Sequence, residues 1–256
     1  MSGSTSEGIA LITGASQGIG KSVATRLASD GFEIAINDVP AQSSMLEAAQ
    51  KDIQELTGKR PLICIGDVSV EEDVKAIIEK VVKSFGGLDV ASLNLSSDKP
   101  RLTPYSQDGS KCWYLPLWPV KRRYASLQMI AQGRGGRLIG ASSGAGKQGQ
   151  RMMGLYSSTK FAIRGLTQSA ALEYGAHQIT VNAYCPGPID TAMVRKAAQD
   201  VGGDSEAVLR MYAAKSAVGR IGEPADVANL VSFLASKHAT YLTGQTIIID
   251  GGLTFD

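Results

Sequence analysis

The chain has 256 residues, of which 43% are hydrophobic and 20% are charged, and its formal net charge is +2. These values predict a folded protein with a sizeable core and exclude a disordered tail or a disulfide-stapled miniprotein. Because the charges nearly balance, the composition indicates neither a nucleic-acid partner nor an anionic membrane surface. Three scattered cysteines favour a reducing compartment and predict no disulfide framework and no metal site. With no secretory signal and no apolar run of about 20 residues, we expect a cytoplasmic protein.

The chain begins with the pattern of a strand, a helix and a second strand. Residues 9–12 form a short apolar run that predicts a buried strand, and a glycine-rich turn and a helical stretch follow it. Gly31 is expected to end that helix, and residues 32–36 predict a second strand that finishes at Asp38. This order is typical of a right-handed unit with two parallel strands.

The alternation continues to the end of the chain. Further helices are predicted at residues 43–57, 71–85, 156–173, 205–217 and 224–235, and further strands at 62–65, 88–93, 137–140, 180–184 and 246–250. Ser69, three residues before Glu72, predicts a capping box at the start of the third helix. The whole pattern predicts an α/β protein with a single-domain Rossmann fold over residues 1–256. Its doubly wound parallel sheet should have about seven strands, with helices on both faces.

Three glycines lie where the first strand passes into the first helix, in the spacing Gly14-x-x-x-Gly18-x-Gly20. Glycines allow a tight turn and a close approach of the backbone to a pyrophosphate, which the amides at a helix start bind well. Asp38 ends the second strand, where a carboxylate accepts a hydrogen bond from a ribose 2′-hydroxyl and repels a 2′-phosphate. The pattern therefore favours NAD over NADP, although Lys21 beside the turn would soften that preference.

A second group of residues indicates acid–base chemistry. Tyr156 and Lys160 are four residues apart on a predicted helix and therefore share one face. A phenol has a pKa of about 10, and a nearby ammonium lowers that value by favouring the phenolate. Ser143 follows a predicted strand at the edge where open α/β sheets bind ligands, and its hydroxyl can hydrogen-bond a substrate carbonyl.

The combination of these motifs resembles the short-chain dehydrogenase/reductase family over residues 8–90 and 124–252. The resemblance also rests on Asp67-Val68, on the stretch 182–191 and on the stretch 222–252. It implies a catalytic set of Ser143, Tyr156 and Lys160, in which the tyrosine exchanges the proton and the lysine binds the nicotinamide ribose. It implies the following cofactor-binding residues: Gly14, Ser16, Gln17, Gly18, Ile19, Gly20, Asp38, Asp67, Val68, Asn94, Tyr156, Lys160, Pro186, Gly187, Ile189 and Thr191.

Within the family, the stretches 141–149 and 182–187 look most like diacetyl/acetoin reductases, which are 2,3-butanediol dehydrogenases. The resemblance therefore implies an NAD(H)-dependent oxidoreductase that interconverts a small ketone or diketone and a secondary alcohol by hydride transfer. The implied partners are a small-molecule substrate and further copies of the chain in a tetramer or dimer.

Residues 91–123 depart from the family pattern. Residues 97–123 hold both tryptophans, four of the nine prolines and six Lys/Arg against two Asp/Glu, so this stretch carries +4 and the rest of the chain −2. Asn94 keeps one asparagine of the family's Asn-Asn-Ala-Gly motif, whose glycine is lost. The family's catalytic asparagine would fall near Tyr114, and Pro116 and Pro119 are expected to interrupt the helix found there in the family.

Three interpretations of this segment remain open. The first is a loop that binds a partner protein or a nucleic acid, and the second is a divergent substrate lid. The third is the product of a shifted reading frame or a misassigned exon. We favour the third interpretation because the family pattern is lost and recovered abruptly. The alternative function is accordingly a catalytically impaired dinucleotide-binding protein of the same fold. A nucleic-acid-associated regulator would need a basic face that the rest of the chain lacks.

Overall fold

A computed structural model describes residues 6–94, 117–200 and 202–255, with only the backbone for residues 117–122. Seven strands are described: β1 (Ile9–Thr13), β2 (Glu33–Asp38), β3 (Leu62–Ile65), β4 (Val90–Leu93), β5 (Gly136–Ala141), β6 (Ile179–Pro186) and β7 (Thr246–Ile249). The eight described helices are α1 (Gly18–Ser29), α2 (Ser43–Thr57), α3 (Glu71–Phe85), α4 (Leu117–Gln132), α5 (Gly154–Tyr174), α6 (Ala192–Asp200), α7 (Ser205–Lys215) and α8 (Pro224–Ala235).

The seven strands form one parallel sheet in the order β3-β2-β1-β4-β5-β6-β7. From β1 the chain adds β2 and β3 on one side, and it then returns to add β4 to β7 on the other side. The order in which strands are added therefore reverses between β1 and β4. Such a reversal leaves a crevice at the carboxyl ends of the two central strands. The predicted α/β Rossmann fold with about seven parallel strands is confirmed.

The core lies on both faces of the sheet. In β1, Leu11 packs on one side with α3, α4 and α5, whereas Ala10 and Ile12 pack on the other side with α1, α2 and α8. Successive strand side chains point to opposite faces, so a strand covered on both sides is apolar throughout. The continuous apolar run at residues 9–12 has this cause, and all of β1 is buried.

Two local features differ from the sequence prediction. The helix α6 was not predicted; it is nine residues long and Ala198 is its one buried residue. The predicted capping box of α3 is wrong, since its N-cap is Val70 and makes no side-chain cap. Instead, the Asp73 carboxylate accepts the backbone N–H of Asp67 at 2.7 Å, which binds the start of α3 to the end of β3.

The structure is regular at both ends of residues 91–123. β4 is a regular strand between β1 and β5, and α4 is helical from Leu117 onward. Pro119 lies in the first turn of α4, where the N–H that proline lacks has no helical acceptor, so the expected interruption at this residue is wrong. Residues 95–116, with Trp113, Tyr114 and Pro116, lie outside the described residues.

Gly20 provides a test of the packing between α1 and the preceding turn. A Cβ at this position would lie 2.0 Å from the carbonyl oxygen of Gly14, so we expect Gly20→Ala to lower the free energy of unfolding by ~2 kcal/mol or more. Gly165→Ala on α5 is the matched control, because a Cβ there meets nothing within 4 Å and alanine favours a helix by ~1 kcal/mol. Urea denaturation measures both, and a Gly20→Ala protein as stable as wild type would contradict the packing.

Candidate active site

The glycine turn joins β1 to α1 at the crevice. Gly14 and Gly18 have φ values of 62° and 56°, in the left-handed region that glycine adopts without strain. Gln17, the N-cap of α1, makes no side-chain cap. The first N–H groups of a helix have no partner within the helix and carry its positive dipole end, so they suit an anion. The turn can therefore hold a pyrophosphate, as predicted.

Asp38 ties the glycine turn to the end of β2. Its buried carboxylate accepts the backbone N–H of Ser16 at 3.1 Å and that of Val39 at 2.9 Å. Lys21, which was expected to soften the preference against a 2′-phosphate, places its Nζ 2.5 Å from Asp52 Oδ2 on α2. The lysine is thus already paired with a carboxylate other than Asp38.

The segment after β3 lies beside this carboxylate. The backbone N–H of Gly66 donates to the carbonyl of Asp38 at 3.1 Å, which holds the two strand ends together. Asp67 Oδ1 accepts the N–H of Ser69 at 2.8 Å, and Val68 is buried against the α3 side of the core. Asp67 and Val68 therefore lie one strand away from Asp38, a position that suits the adenine pocket implied by the resemblance.

Ser143, Tyr156 and Lys160 meet where β5 ends and α5 begins. The Ser143 hydroxyl lies near enough to Tyr156 to oppose the rise of its pKa, and Ser143 Oγ accepts the N–H of Ala145 at 3.2 Å. Lys160 is 8% exposed; its Nζ donates to the carbonyl of Ala141 at 3.1 Å and lies 5.6 Å from the centroid of the Tyr156 ring. The tertiary structure thus brings together the three side chains that the sequence predicted as a catalytic set.

Burial dominates the electrostatics of this cluster. It raises the pKa of Tyr156, and the hydrogen bond with Ser143 offsets part of that rise. It lowers the pKa of Lys160 to about 8, against a smaller opposing effect of Cys185. The expected lowering of the Tyr156 pKa is not found in the protein alone, because desolvation of the phenol raises this pKa.

The segment after β6 closes the opposite wall of the crevice. A Cβ added to Gly18 would lie 3.7 Å from the Cγ2 of Thr191, so Thr191 lies next to the start of α1. Ile189 is buried and pairs with Gly222 in an isolated bridge. A Cβ on Gly187 would lie 2.5 Å from the Cβ of Asp250, which explains the glycine after Pro186.

Thr13 on β1 and Tyr184 on β6 join the site through hydrogen bonds to Asn94 that the sequence did not predict. The Thr13 hydroxyl donates to the carbonyl of Asn94 at 2.5 Å, and the Tyr184 hydroxyl donates to Asn94 Oδ1. No local sequence signal identifies the second contact, because β6 also contains the polar residues Thr180 and Asn182.

The residues present fit a nicotinamide dinucleotide. Ser16 Oγ in the glycine turn and Asn94 Nδ2 after β4 are buried and have no hydrogen-bond partner among the residues that the structure describes. Buried polar atoms in folded proteins are mostly paired, so these two are suited to groups of a bound ligand. The turn packs so closely on the start of α1 that a Cβ at Gly20 has no room, as a glycine at this position of a dinucleotide-binding turn allows.

Two negative findings apply to the described parts of the chain. Within residues 6–94, 117–200 and 202–255, no group of three or more His, Cys, Asp or Glu side chains is placed to hold a metal ion. Within the same ranges, no helix is both long and apolar enough to cross a lipid bilayer.

Comparison with known proteins supplies relatives over nearly the whole chain. A family model described as enoyl-(acyl carrier protein) reductase matches residues 14–254. A short-chain dehydrogenase/reductase of Armillaria gallica is 44% identical over 266 residues, which cover 99% of this chain and 98% of that protein. A diacetyl reductase [(S)-acetoin forming] of Staphylococcus epidermidis is 38% identical, with 96% and 98% covered. The crystal structure of L-sorbose reductase from Gluconobacter frateurii, complexed with NADPH and L-sorbose, matches with a TM-score of 0.86 and 29% identity, covering 98% of this chain and 100% of that one.

The buried ammonium of Lys160 has a measurable consequence for stability. The pKa of about 8 in the folded protein lies below the ordinary value of 10.5, so between these pH values the unfolded chain binds more protons. Stability rises with pH wherever the unfolded state binds more protons. From pH 7 to pH 10 we expect the free energy of unfolding of wild type to rise by ~2 kcal/mol relative to that of Lys160→Met.

Urea denaturation at pH 7, 8, 9 and 10 measures this difference. Lys51→Met is the matched control, because it removes a charge from an exposed lysine on α2. A difference between wild type and Lys160→Met that stays constant over this range would contradict the burial of a charged Lys160.

Proposed function

The chain belongs to the short-chain dehydrogenase/reductase family, and we propose that it is an NAD(H)-dependent oxidoreductase that interconverts a small ketone or diketone, of the diacetyl/acetoin type, and a secondary alcohol. The observation that carries this proposal is the cluster of Ser143, Tyr156 and Lys160 beside the glycine turn. The similarity to a diacetyl reductase of Staphylococcus epidermidis supports the substrate class.

In the proposed reaction, Tyr156 donates its phenolic proton to the carbonyl oxygen during reduction and takes it back during oxidation. The Ser143 O–H, which lies beside Tyr156, would hydrogen-bond the same oxygen, while Ser143 Oγ accepts the N–H of Ala145. The Lys160 ammonium, whose pKa is about 8, is charged at neutral pH and favours the phenolate that forms. A bound nicotinamide dinucleotide would supply or accept the hydride at the carbonyl carbon.

The preference for NAD over NADP rests on Asp38. Its carboxylate lies at the end of β2, held by the N–H groups of Ser16 and Val39, where it would accept a ribose hydroxyl and repel a 2′-phosphate. The pairing of Lys21 with Asp52 supports the same preference, because that cation is already partnered. The NADPH in the Gluconobacter frateurii structure belongs to that protein.

The alternative is a catalytically impaired dinucleotide-binding protein of the same fold. It is favoured by the sequence itself, which has no asparagine between Asn94 and Asn182. The family's catalytic asparagine would fall near Tyr114, outside the described residues. Assembly into a tetramer or dimer and a location in the cytoplasm stay predictions; Cys64 and Cys185 are buried and form no disulfide, which supports a reducing compartment.

The substitution Tyr156→Phe separates these two functions. We expect wild type to oxidise NADH with diacetyl or acetoin, and the variant to lose ~10³-fold or more in kcat, because the proton donor is gone. NADH-induced thermal stabilisation should persist in the variant. Tyr241→Phe, at a fully exposed tyrosine, is the matched control and should keep wild-type turnover.

The outcomes are distinct. Stabilisation of wild type by NADH without turnover of either substrate would favour the impaired binding protein. Neither stabilisation nor turnover with NADH or NADPH would overturn both functions.

The substitution Asp38→Asn tests the cofactor preference. Loss of the negative charge should weaken NADH binding and relieve repulsion of the 2′-phosphate, so the ratio of the NADPH and NADH dissociation constants should fall ~10-fold or more. Because the two ligands bind the same variant, this ratio is insensitive to a general loss of stability. Fluorescence titration measures both constants, and an unchanged ratio would refute the role of Asp38.

A further inference from the structure

Tyr184 is a polar side chain in the interior of the sheet. It lies on β6, is 1% exposed and packs in the core cluster on the α1 and α8 face. Its hydroxyl donates to Asn94 Oδ1, at the end of β4. Since β5 lies between β4 and β6 in the sheet, this hydrogen bond spans β5. A phenylalanine would fill the same space without a polar group to satisfy, so packing alone does not explain the tyrosine.

The main chain of Tyr184 is joined to the catalytic segment. Its carbonyl accepts the N–H of Ser142 at 2.8 Å, and Ser142 directly precedes Ser143. Burial raises the pKa of the Tyr184 phenol well above its usual value, so the hydroxyl keeps its proton at neutral pH. Tyr184 therefore contacts both the loop that carries the catalytic serine and the residue after β4.

Two polar groups of Asn94 are held by neighbouring side chains. Its backbone carbonyl accepts the Thr13 hydroxyl at 2.5 Å, and its side-chain oxygen accepts the Tyr184 hydroxyl. Its Nδ2 is buried and has no partner among the described residues. If the amide were rotated, its Nδ2 would donate to the tyrosine hydroxyl, which both donates and accepts. The amide oxygen would then be the atom without a partner. One end of the amide is thus available in either orientation.

We propose that Tyr184 is a positioning residue for the dinucleotide: it fixes the Asn94 side chain so that the free end of the amide hydrogen-bonds a ribose hydroxyl of the bound cofactor. A ribose hydroxyl both donates and accepts and so satisfies either end. The location fits, because Asn94 and Thr13 end the two central strands at the crevice. Removal of the phenolic hydroxyl would let the amide rotate and weaken binding. This inference rests on the proposed dinucleotide-binding function.

A double-mutant cycle tests the coupling of the two side chains. We expect Tyr184→Phe to raise the dissociation constant for NADH ~10-fold in fluorescence titrations while kcat at saturating NADH stays within ~2-fold. Asn94→Leu should raise the same constant at least as much, and Tyr184→Phe should then add nothing in the Asn94→Leu protein. Val181→Ala, also buried on β6, is the matched control and should lower the stability of the unliganded protein without changing the NADH constant.

Two results would overturn the inference. The role of Tyr184 would be purely structural if Tyr184→Phe lowered the stability of the unliganded protein and left the dissociation constant for NADH unchanged. An equal rise of that constant in the wild-type and Asn94→Leu proteins would show that Tyr184 does not act through Asn94. If Tyr184→Phe alone did not fold, the comparison of Asn94→Leu with the double variant, which replaces both polar partners by apolar groups, would still test the inference. A rise of the NADH constant when Tyr184→Phe is added to Asn94→Leu would overturn it. Wild type that binds neither NADH nor NADPH would instead overturn the proposed function itself.

Discussion

The parallel sheet and its change of winding direction are the constraint on which the rest of the structure depends. Parallel strands end at the same edge, and the reversal between β1 and β4 keeps helices from covering that edge at the centre. Residues far apart along the chain therefore meet there: the glycine turn after β1, Asp38 after β2, Asn94 after β4 and Ser143 after β5. Each is positioned by the strand that precedes it, so the site is as rigid as the sheet.

The same edge combines two electrostatic environments. At the glycine turn, polar groups stand ready for an anion: the first N–H groups of α1, and the Ser16 hydroxyl, which has no described partner. At the cluster of Tyr156 and Lys160, burial disfavours the charged form of both side chains, which raises the pKa of the phenol and lowers that of the ammonium. In free solution the pKa of a lysine lies slightly above that of a tyrosine, whereas here the pKa of Lys160 lies below that of Tyr156. Proton exchange at the phenol therefore depends on positive charge next to it.

Hydrogen bonds connect these two environments through the end of the sheet. Thr13 contacts Asn94, Asn94 contacts Tyr184, and the Tyr184 main chain contacts Ser142. The path runs from the glycine turn to the catalytic serine across four neighbouring strands, β1, β4, β5 and β6. Such a path makes the relative placement of cofactor groups and proton donor a property of the core, in which side chains have little room to rearrange.

The sequence alone determined the fold class and the residue types of the site. Apolar runs four to six residues long, alternating with helical stretches, identify a doubly wound sheet because strands covered on both faces are apolar throughout, as in β1. The spacing of Tyr156 and Lys160 likewise follows from helix geometry. The helix α6 escaped prediction because few of its side chains are buried, and the capping box of α3 was mispredicted because Asp73 binds the end of β3 instead.

Only the tertiary structure decided which groups act on one another. The pairing of Lys21 with Asp52 and the bond between Tyr184 and Asn94 join residues 31 and 90 positions apart, and no local pattern encodes such a contact. The same holds for the pKa of Tyr156, which the four-residue spacing to Lys160 suggested would fall and which burial raises. Periodicity reports which residues face the core, whereas desolvation and long-range hydrogen bonds exist only once the strands are assembled side by side.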